Sequence, residues 1–386
     1  MKVLVFSPYY PPHTGGLESH SEEFNRHLAR QGVEIVVFTP RLPANAPEEE
    51  SPCENIRIIR FPAYEIIPNY PLPKYIPLFL TPRFFRMFLA LWKERPDIVI
   101  SRTRFFNTSL LALTYAKSRG IPLVHIEHGS DFVRLSSPFS TFVAKIYDHT
   151  FGRIVFRCSD MNISISKAVE RFVEKFDWRN SPVIYRGIDF DAIDAVPTDM
   201  SMQERYPGKI IMSTAARLYK WKGIENTIGA IRILPEDIRS KIIFLIVGDG
   251  EDFSHLKKLS KGLPIEMTGR LERTKVIATL KASDIYIHSS LPGGGLSTSL
   301  LEAMYCECAV IATPNEGADE IVEHDKNSIL IGQPSAKEIG TAIERLIQDE
   351  TKRKTFSAMA KRNVRERFSW DASIGKYLEL FQTIRK

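Results

Sequence analysis

Short runs of consecutive apolar residues recur along the chain, and most lead through a turn into a stretch whose apolar side chains return at helical spacing. Residues 2–6 form the first run, which stops at Pro8. Gly15-Gly16 then opens a helix to about Gln31, with Leu17, Phe24 and Leu28 near helical spacing and Gly32 ending it. Residues 33–39 are the next strand, so the chain begins strand, helix, strand. Unalternating apolar strands of this kind belong to parallel sheets covered on both faces, whose ligands gather at the carboxyl ends of the strands. A strand is expected at 56–60 within a proline-rich stretch, and further strands at 97–101, 122–126, 161–164 and 182–185.

After residue 187 the composition turns proline-rich and acidic, as in a linker, and the same alternation then restarts. Strands are expected at 209–213, 242–247, 265–268, 285–288 and 310–313, with helices at 221–234, up to about 259, and at 298–306. Helices at 336–348, 352–367 and 372–385 close the chain. The pattern predicts an α/β protein of two doubly wound, Rossmann-like domains facing across a cleft. The expected divisions are 1–187 for the first domain, 188–208 for the linker, 209–368 for the second domain and 369–386 for a C-terminal helix, with a crossing back to the first domain left open.

Composition agrees with two folded cores. The chain has 386 residues, of which 44% are hydrophobic and 25% charged, ordinary values for a globular protein. Cys53, Cys158, Cys306 and Cys308 are sparse, and none of them has the C-x-x-C spacing of a zinc or redox site, which fits a reducing interior. Only four apolar residues separate Lys2 from Ser7, too few for a signal-peptide core, and the apolar tract 76–92 is interrupted by Pro82, Arg83 and Arg86. Within it, 78–92 has the makeup of an amphipathic helix with a basic side. It suits either a membrane interface or packing on its own domain.

Charge is unevenly placed. Lys and Arg outnumber Asp and Glu by 24 to 18 over residues 1–187 and balance at 28 each over the rest. A basic half beside a neutral one favours an anionic partner such as a lipid surface or a phosphorylated acceptor. Nucleic acid is not expected, because no RNP-like motif, zinc finger or basic helix accompanies the charge.

Three stretches carry candidate chemistry. Ser290 to Met304 contains Gly293-Gly294-Gly295 between a strand and a helix, where bare backbone and unpaired first-turn amides attract phosphate. The same stretch also reads as a plain capping box between Ser299 and Glu302. Gly15-Gly16 stands at another strand end, as ligand turn or simple tight turn. Glu127-His128-Gly129-Ser130-Asp131 puts an imidazole and two carboxylates at a third.

Taken in order, these residues and several others resemble the retaining glycosyltransferases of family 4, which have the GT-B architecture. The likeness runs through Pro11-Pro12-His13-Thr14-Gly15-Gly16-Leu17-Glu18, His128-Gly129, Ser164-Ile165-Ser166-Lys167-Ala168 and Gly187-Ile188-Asp189. It continues in Ala216-Arg217-Leu218 with Lys222-Gly223, Gly248-Asp249-Gly250, Thr268-Gly269-Arg270, and Leu300-Leu301-Glu302-Ala303-Met304. The resemblance implies transfer of a sugar from a nucleotide-diphosphate donor to an acceptor hydroxyl, with no cofactor and no metal. Arg217 and Lys222 would grip the diphosphate, and His128 would approach the donor sugar, so these three are the candidate catalytic residues. Gly294, Gly295, Leu296, Ser297 and Thr298 would face the phosphates and sugar, Glu302 the ribose hydroxyls, and Arg270 and Leu271 the nucleobase. Gly15 and Gly16 would let backbone come near the transferred group.

The chain departs from the family pattern at Gly294, where the first glutamate of a pair is expected, and at Arg186, where asparagine is usual. The first departure leaves a second reading, a catalytically weak nucleotide-sugar-binding module that recruits partners at a membrane. Asp189-Phe190-Asp191 spells a metal-binding string, but it falls in the expected linker of an architecture that generally needs no metal. The expected partners are a nucleotide-sugar such as a UDP- or GDP-sugar and a glycan or lipid-linked glycan acceptor of the cell envelope, at an anionic membrane surface. The expected place is the cytoplasm, with peripheral attachment to the inner face of the membrane.

Overall fold

The computed structural model describes residues 1–13, 15–67, 70–73, 81–132, 138–292, 296–315, 317–332 and 334–385. It divides into two compact units, Met1–Gly187 together with Trp370–Lys386, and Ile188–Ser369.

In the first unit the strands are β1 (Lys2–Phe6), β2 (Glu34–Pro40), β3 (Glu49–Cys53), β4 (Ile56–Phe61), β5 (Ala63–Ile67), β6 (Tyr70–Pro73), β7 (Ile98–Arg102), β8 (Leu123–Glu127) and β9 (Met161–Ser164). Seven of them form one sheet in the order β3-β4-β2-β1-β7-β8-β9, parallel except for β3, while β5 and β6 pair as an antiparallel ribbon. Every residue of β7 and β8 is buried, as unalternating sequences such as Ile-Val-Ile require. The Gly16–Arg30 helix packs against the closing Trp370–Ile384 helix: the ring of Phe24 meets Tyr377 at 4.8 Å and Trp370 at 6.3 Å.

Residues 78–80 of the segment 78–92 lie outside the described residues; the rest turns one side to its own core and leaves Phe85 and Leu89 about half exposed on the other. Thr81 accepts from the Phe84 amide at 3.2 Å and starts the Pro82–Ala90 helix, which buries Phe84 and Phe88 among Phe6, Phe38 and Tyr115. Proline at the first helical position costs nothing there, since its missing amide would have no partner.

The second unit has β10 (Ile210–Ala215), β11 (Ile242–Val247), β12 (Ile265–Gly269), β13 (Ile285–His288), β14 (Ala309–Ala312) and β15 (Ser328–Leu330). They form one parallel sheet in the order β12-β11-β10-β13-β14-β15. Helices Ile224–Ile233 and Ala336–Gln348 cover it, and Ile228, Ile231, Ile339 and Ile343 pack against Phe244, Ile285 and Ile311 in one core.

Two expected elements differ. The strand at 182–185 shrinks to a single bridge between Ser164 and Val183. The carbonyl of Tyr185 accepts from Ser373 Oγ at 2.8 Å, so the segment leaves the sheet for the closing helix. Residues 188–208, read as a linker, form the short helices Phe190–Asp194 and Ser201–Arg205 and pack on the second unit. Lys281 Nζ donates to the Val196 carbonyl at 2.5 Å, and Tyr305 Oη donates to Asp194 at 2.8 Å.

Candidate active site

In the second unit β10 is flanked by β11 on one side and β13 on the other, and the strand order reverses there. Such a switch point opens a crevice outside the carboxyl ends of the strands. Arg217 lies two residues past β10, exposed, and its loop is stitched to both neighbours. The Leu218 amide donates to the Asp249 carbonyl, and the Asp252 amide to the Leu218 carbonyl, each at 3.0 Å. Gly248 has φ 136°, and a Cβ there would stand 1.9 Å from the Ala216 carbonyl oxygen, so only glycine lets the β11 turn come this close.

On the other side Ser289 Oγ donates to the Lys222 carbonyl at 3.1 Å, and the Leu291 amide to the Trp221 carbonyl at 2.7 Å. Gly223, with φ 64°, would place a Cβ 2.1 Å from the Ser289 carbonyl oxygen. The structure therefore fastens the Arg217–Lys222 loop directly to the segment that leads into the glycine turn. Lys222 Nζ rests 4.2 Å over the Trp221 ring.

Past that turn begins the Thr298–Tyr305 helix, with Ser297 at the N-cap and no capping bond from its side chain. The Ser299–Glu302 capping box does not form. Ser299 Oγ accepts instead from Tyr286 Oη at 3.0 Å, and the buried carboxylate of Glu302 lies 2.8 Å from Arg273 Nη1. Glu302 is thus held as a carboxylate paired with a cation from the neighbouring Arg273–Lys281 helix. A helix start without its side-chain cap presents partial positive charge. Leu296 and Ser297 are buried and Thr298 is half-buried, whereas Gly294 and Gly295 lie outside the described residues. Arg270 is exposed and Leu271 half-buried just after β12, two strands from β10, so they border the switch point from further away.

In the first unit His128 follows β8. The carboxylate of Glu127 accepts from the amides of His128 and Gly129 at 3.0 and 2.7 Å, from Arg104 Nη1 at 3.1 Å and from His125 Nε2 at 3.2 Å. Arg104 also reaches both oxygens of Asp148, each at 3.1 Å, and a Cβ on Gly129 would stand 3.0 Å from its guanidinium. Burial opposes a charge on Glu127, but Arg104 and the His125 hydrogen bond overcome it and hold its pKa well below the usual carboxylate range. The His128 turn is fixed by a buried ionic network.

His128 meets the ring of His20 edge-on at 4.7 Å, and its Nε2 is shielded from solvent with no hydrogen-bond partner among the described residues. Arg102 Nη1 donates to His20 Nδ1 at 3.1 Å while its guanidinium covers Phe24 at 4.6 Å. Burial, together with the Arg102 charge, brings the His128 pKa down to about 3, and His20 shifts the same way. The unfolded chain therefore binds more protons than the folded one at pH values between that figure and the ordinary 6.5. Stability is lost as pH falls through this window. Thermal unfolding followed by circular dichroism is expected to show a lower midpoint at about pH 5 than at about pH 7, with a smaller drop in His128→Asn.

The remaining sequence candidates separate. Gly15, extended at φ 175°, caps the Gly16–Arg30 helix, and nothing lies within 4 Å of a Cβ on Gly16. Arg186 is buried and pairs with Glu23 at 3.0 Å, where Trp370 Nε1 also donates at 3.1 Å, so this cation serves an internal ion pair of the first unit. Asp189 accepts from the Ala192 amide at 3.0 Å, which is a helix cap. Sequence reasoning missed Arg102, Arg104, Asp148, His20 and Arg273. Arginine at the end of a buried strand was a legible signal for the first two. Asp148, 44 residues beyond Arg104, had none.

Comparisons with known proteins bear on both units. A family model described as Glycosyltransferase Family 4 matches residues 14–192, and one described as Glycosyl transferases group 1 matches residues 197–363. An uncharacterized glycosyltransferase of Methanocaldococcus jannaschii is 43% identical over 100% of this chain and 99% of its own length. A GDP-mannose-dependent monoacylated alpha-(1-6)-phosphatidylinositol monomannoside mannosyltransferase of Corynebacterium glutamicum is 25% identical over 96% and 95%. Among solved structures, sucrose-phosphate synthase from Thermosynechococcus elongatus has a TM-score of 0.81 at 17% identity, covering 99% of this chain and 98% of that one. Anabaena HepE in complex with UDP-glucose has a TM-score of 0.73 at 18% identity, covering 99% and 100%. These neighbours share the GT-B fold.

Proposed function

This chain belongs to the glycosyltransferases, of the group 1 and family 4 type, and we propose that it moves a sugar from a nucleotide-diphosphate donor to an acceptor hydroxyl with retention of the anomeric configuration. One observation supports this reading most: two cationic side chains and a helix start without a side-chain cap share the switch point of the second unit. Negative charge grows on a nucleotide diphosphate as its glycosidic bond breaks, and fixed positive charge lowers the energy of that state.

In this proposal Arg217 and Lys222 bind the diphosphate. The turn of Gly294 and Gly295 with the amides of Leu296, Ser297 and Thr298 meets the phosphates and sugar. The carboxylate of Glu302 accepts from the ribose hydroxyls, and backbone at Arg270 and Leu271 borders the base. In the first unit Gly15 and Gly16 leave room for the transferred group. His128, neutral at physiological pH, offers hydrogen bonds to the donor sugar without adding charge. The leaving phosphate takes the acceptor's proton.

The acceptor we propose is a glycan or lipid-linked glycan at an anionic membrane surface on the inner face of the cell membrane. The charge excess of the first half supports it, as does the phosphatidylinositol mannoside acceptor named for the Corynebacterium relative. No helix among the described residues is long and apolar enough to cross a membrane. GDP-mannose, named for the Corynebacterium relative, and UDP-glucose, bound in the Anabaena structure, differ in base, so the test spans both. Calorimetric titration with UDP, GDP and ADP is expected to give a Kd of about 1 μM to 1 mM for at least one. The matching nucleotide-sugar is then expected to release its nucleotide in the presence of acceptor. Absence of heat with all three overturns the proposal.

A further inference from the structure

The Pro138–Tyr147 helix, a π turn at Asp148–Gly152 and the Arg153–Cys158 helix make one continuous run in the first unit. Its outer side is apolar. Phe139 is 76% and Phe142 62% exposed, and Val143, Ile146, Phe151 and Ile154 are each about half exposed. The first four fall at i, i+3, i+4 and i+7, one stripe of an α-helix. The π turn inserts one residue and so rotates the rest of the run back by about 100°, which brings Phe151 and Ile154 into line with the stripe.

The opposite side is anchored. Ala144, Asp148, Gly152, Val155 and Phe156 are buried, and Asp148 is clasped by Arg104. The stripe therefore faces outward from a fixed helix.

We propose that this stripe is a docking surface for an anionic lipid bilayer. Charge complementarity selects that occupant. The exposed basic groups of the run are Lys145, His149, Arg153 and Arg157, while its single carboxylate, Asp148, is turned inward. Cations beside an exposed apolar stripe are the makeup of a helix lying in the headgroup region. A protein partner would look for about one hydrogen bond per 100–200 Å², and the six stripe residues offer no polar side chain. The Pro82–Ala90 helix of the basic segment 78–92 offers a smaller apolar face, Phe85 and Leu89 at about half exposure, because Phe84 and Phe88 are consumed by the core. The inference rests on the membrane-side part of the proposed function and gives it a surface.

The test is sedimentation of the full chain with vesicles of phosphatidylglycerol and phosphatidylcholine, against phosphatidylcholine alone. Binding is expected on the anionic vesicles and is expected to fade at about 1 M salt, where the screening length falls to about 3 Å. The double variant Phe142→Glu/Ile146→Glu is expected to lose at least about tenfold in affinity, because apolar insertion and charge attraction both suffer. Lys145→Gln and Arg153→Gln are each expected to lose about fivefold at low salt. Should the double variant fail to fold, Phe139→Glu at the most exposed position reads the same loss.

A wild-type chain that ignores anionic vesicles sinks both this surface and the membrane-side reading. Variants that bind as well as wild type sink the surface alone. A dimer in analytical ultracentrifugation that Phe139→Glu dissolves, with vesicle binding unchanged, assigns the stripe to a second copy and overturns the proposal. Calorimetry with nucleoside diphosphates is scored separately, so transferase chemistry stands or falls on its own.

Discussion

Lys222→Ala is expected to lower turnover by about two to three orders of magnitude, the scale on which removal of one fixed donor from a developing anion is felt. The reason lies in how the loop is built. Its backbone is held by bonds that do not involve the lysine side chain: Lys222 N to the Tyr219 carbonyl at 2.9 Å, Ser289 Oγ to the Lys222 carbonyl, and Leu291 N to the Trp221 carbonyl. Truncation at Cβ therefore removes the charge and leaves the loop in place. Arg217→Ala is expected to fall in the same range, and the double variant to lose less than the product of the two, because groups acting on one charge are not independent. Steady-state release of nucleoside diphosphate from the donor reads all three. Lys222→Arg is expected to recover part of the loss. A Lys222→Ala enzyme within about threefold of wild type would remove Lys222 from the role proposed for it.

How much of this was legible in the sequence depended on what each residue answers to. Runs such as Ile242–Val247 and Ile285–His288 must be buried strands, because both faces of a parallel sheet are covered. Their positions in the structure coincide with those read from the pattern. Glu49–Cys53 escaped notice because it is a polar edge strand containing proline, whose pairing needs only a neighbour's backbone. Ser328–Leu330 is too short for a period to show.

The site divides the same way. Gly223 and Gly248 stood out in the sequence as parts of the family likeness, and the structure supplies the reason, a positive φ with a carbonyl pressed against the Cα. The partner of Glu302 did not, since Arg273 lies 29 positions earlier on a different helix. Asp189 of the Asp-x-Asp string caps a helix, and Arg186, which departs from the family pattern, makes an internal ion pair. A local string reports which groups are available. Only the fold decides which partner each one meets.

The same limit hid the group that holds the first unit's candidate residue in place, and it leads to the second large effect. Arg104→Leu is expected to destabilise the first unit by about 3–5 kcal/mol, the usual cost of breaking a buried ion pair from one side. Two carboxylates, Glu127 and Asp148, both fully buried, lose the cation they share. At about 2–4 °C per kcal/mol for a unit of this size the unfolding midpoint should drop by roughly 6–20 °C. Arg104→Lys is expected to recover less than half, because one ammonium cannot span Glu127 and the two oxygens of Asp148 as a planar guanidinium does. Glu127 also carries the amides of His128 and Gly129, so turnover should fall along with stability. Affinity for nucleoside diphosphate, which we assign to the second unit, should stay near wild type. Differential scanning calorimetry and nucleotide titration on the same preparation separate these outcomes. An Arg104→Leu chain that melts with wild type would mean that the buried carboxylates are satisfied without it.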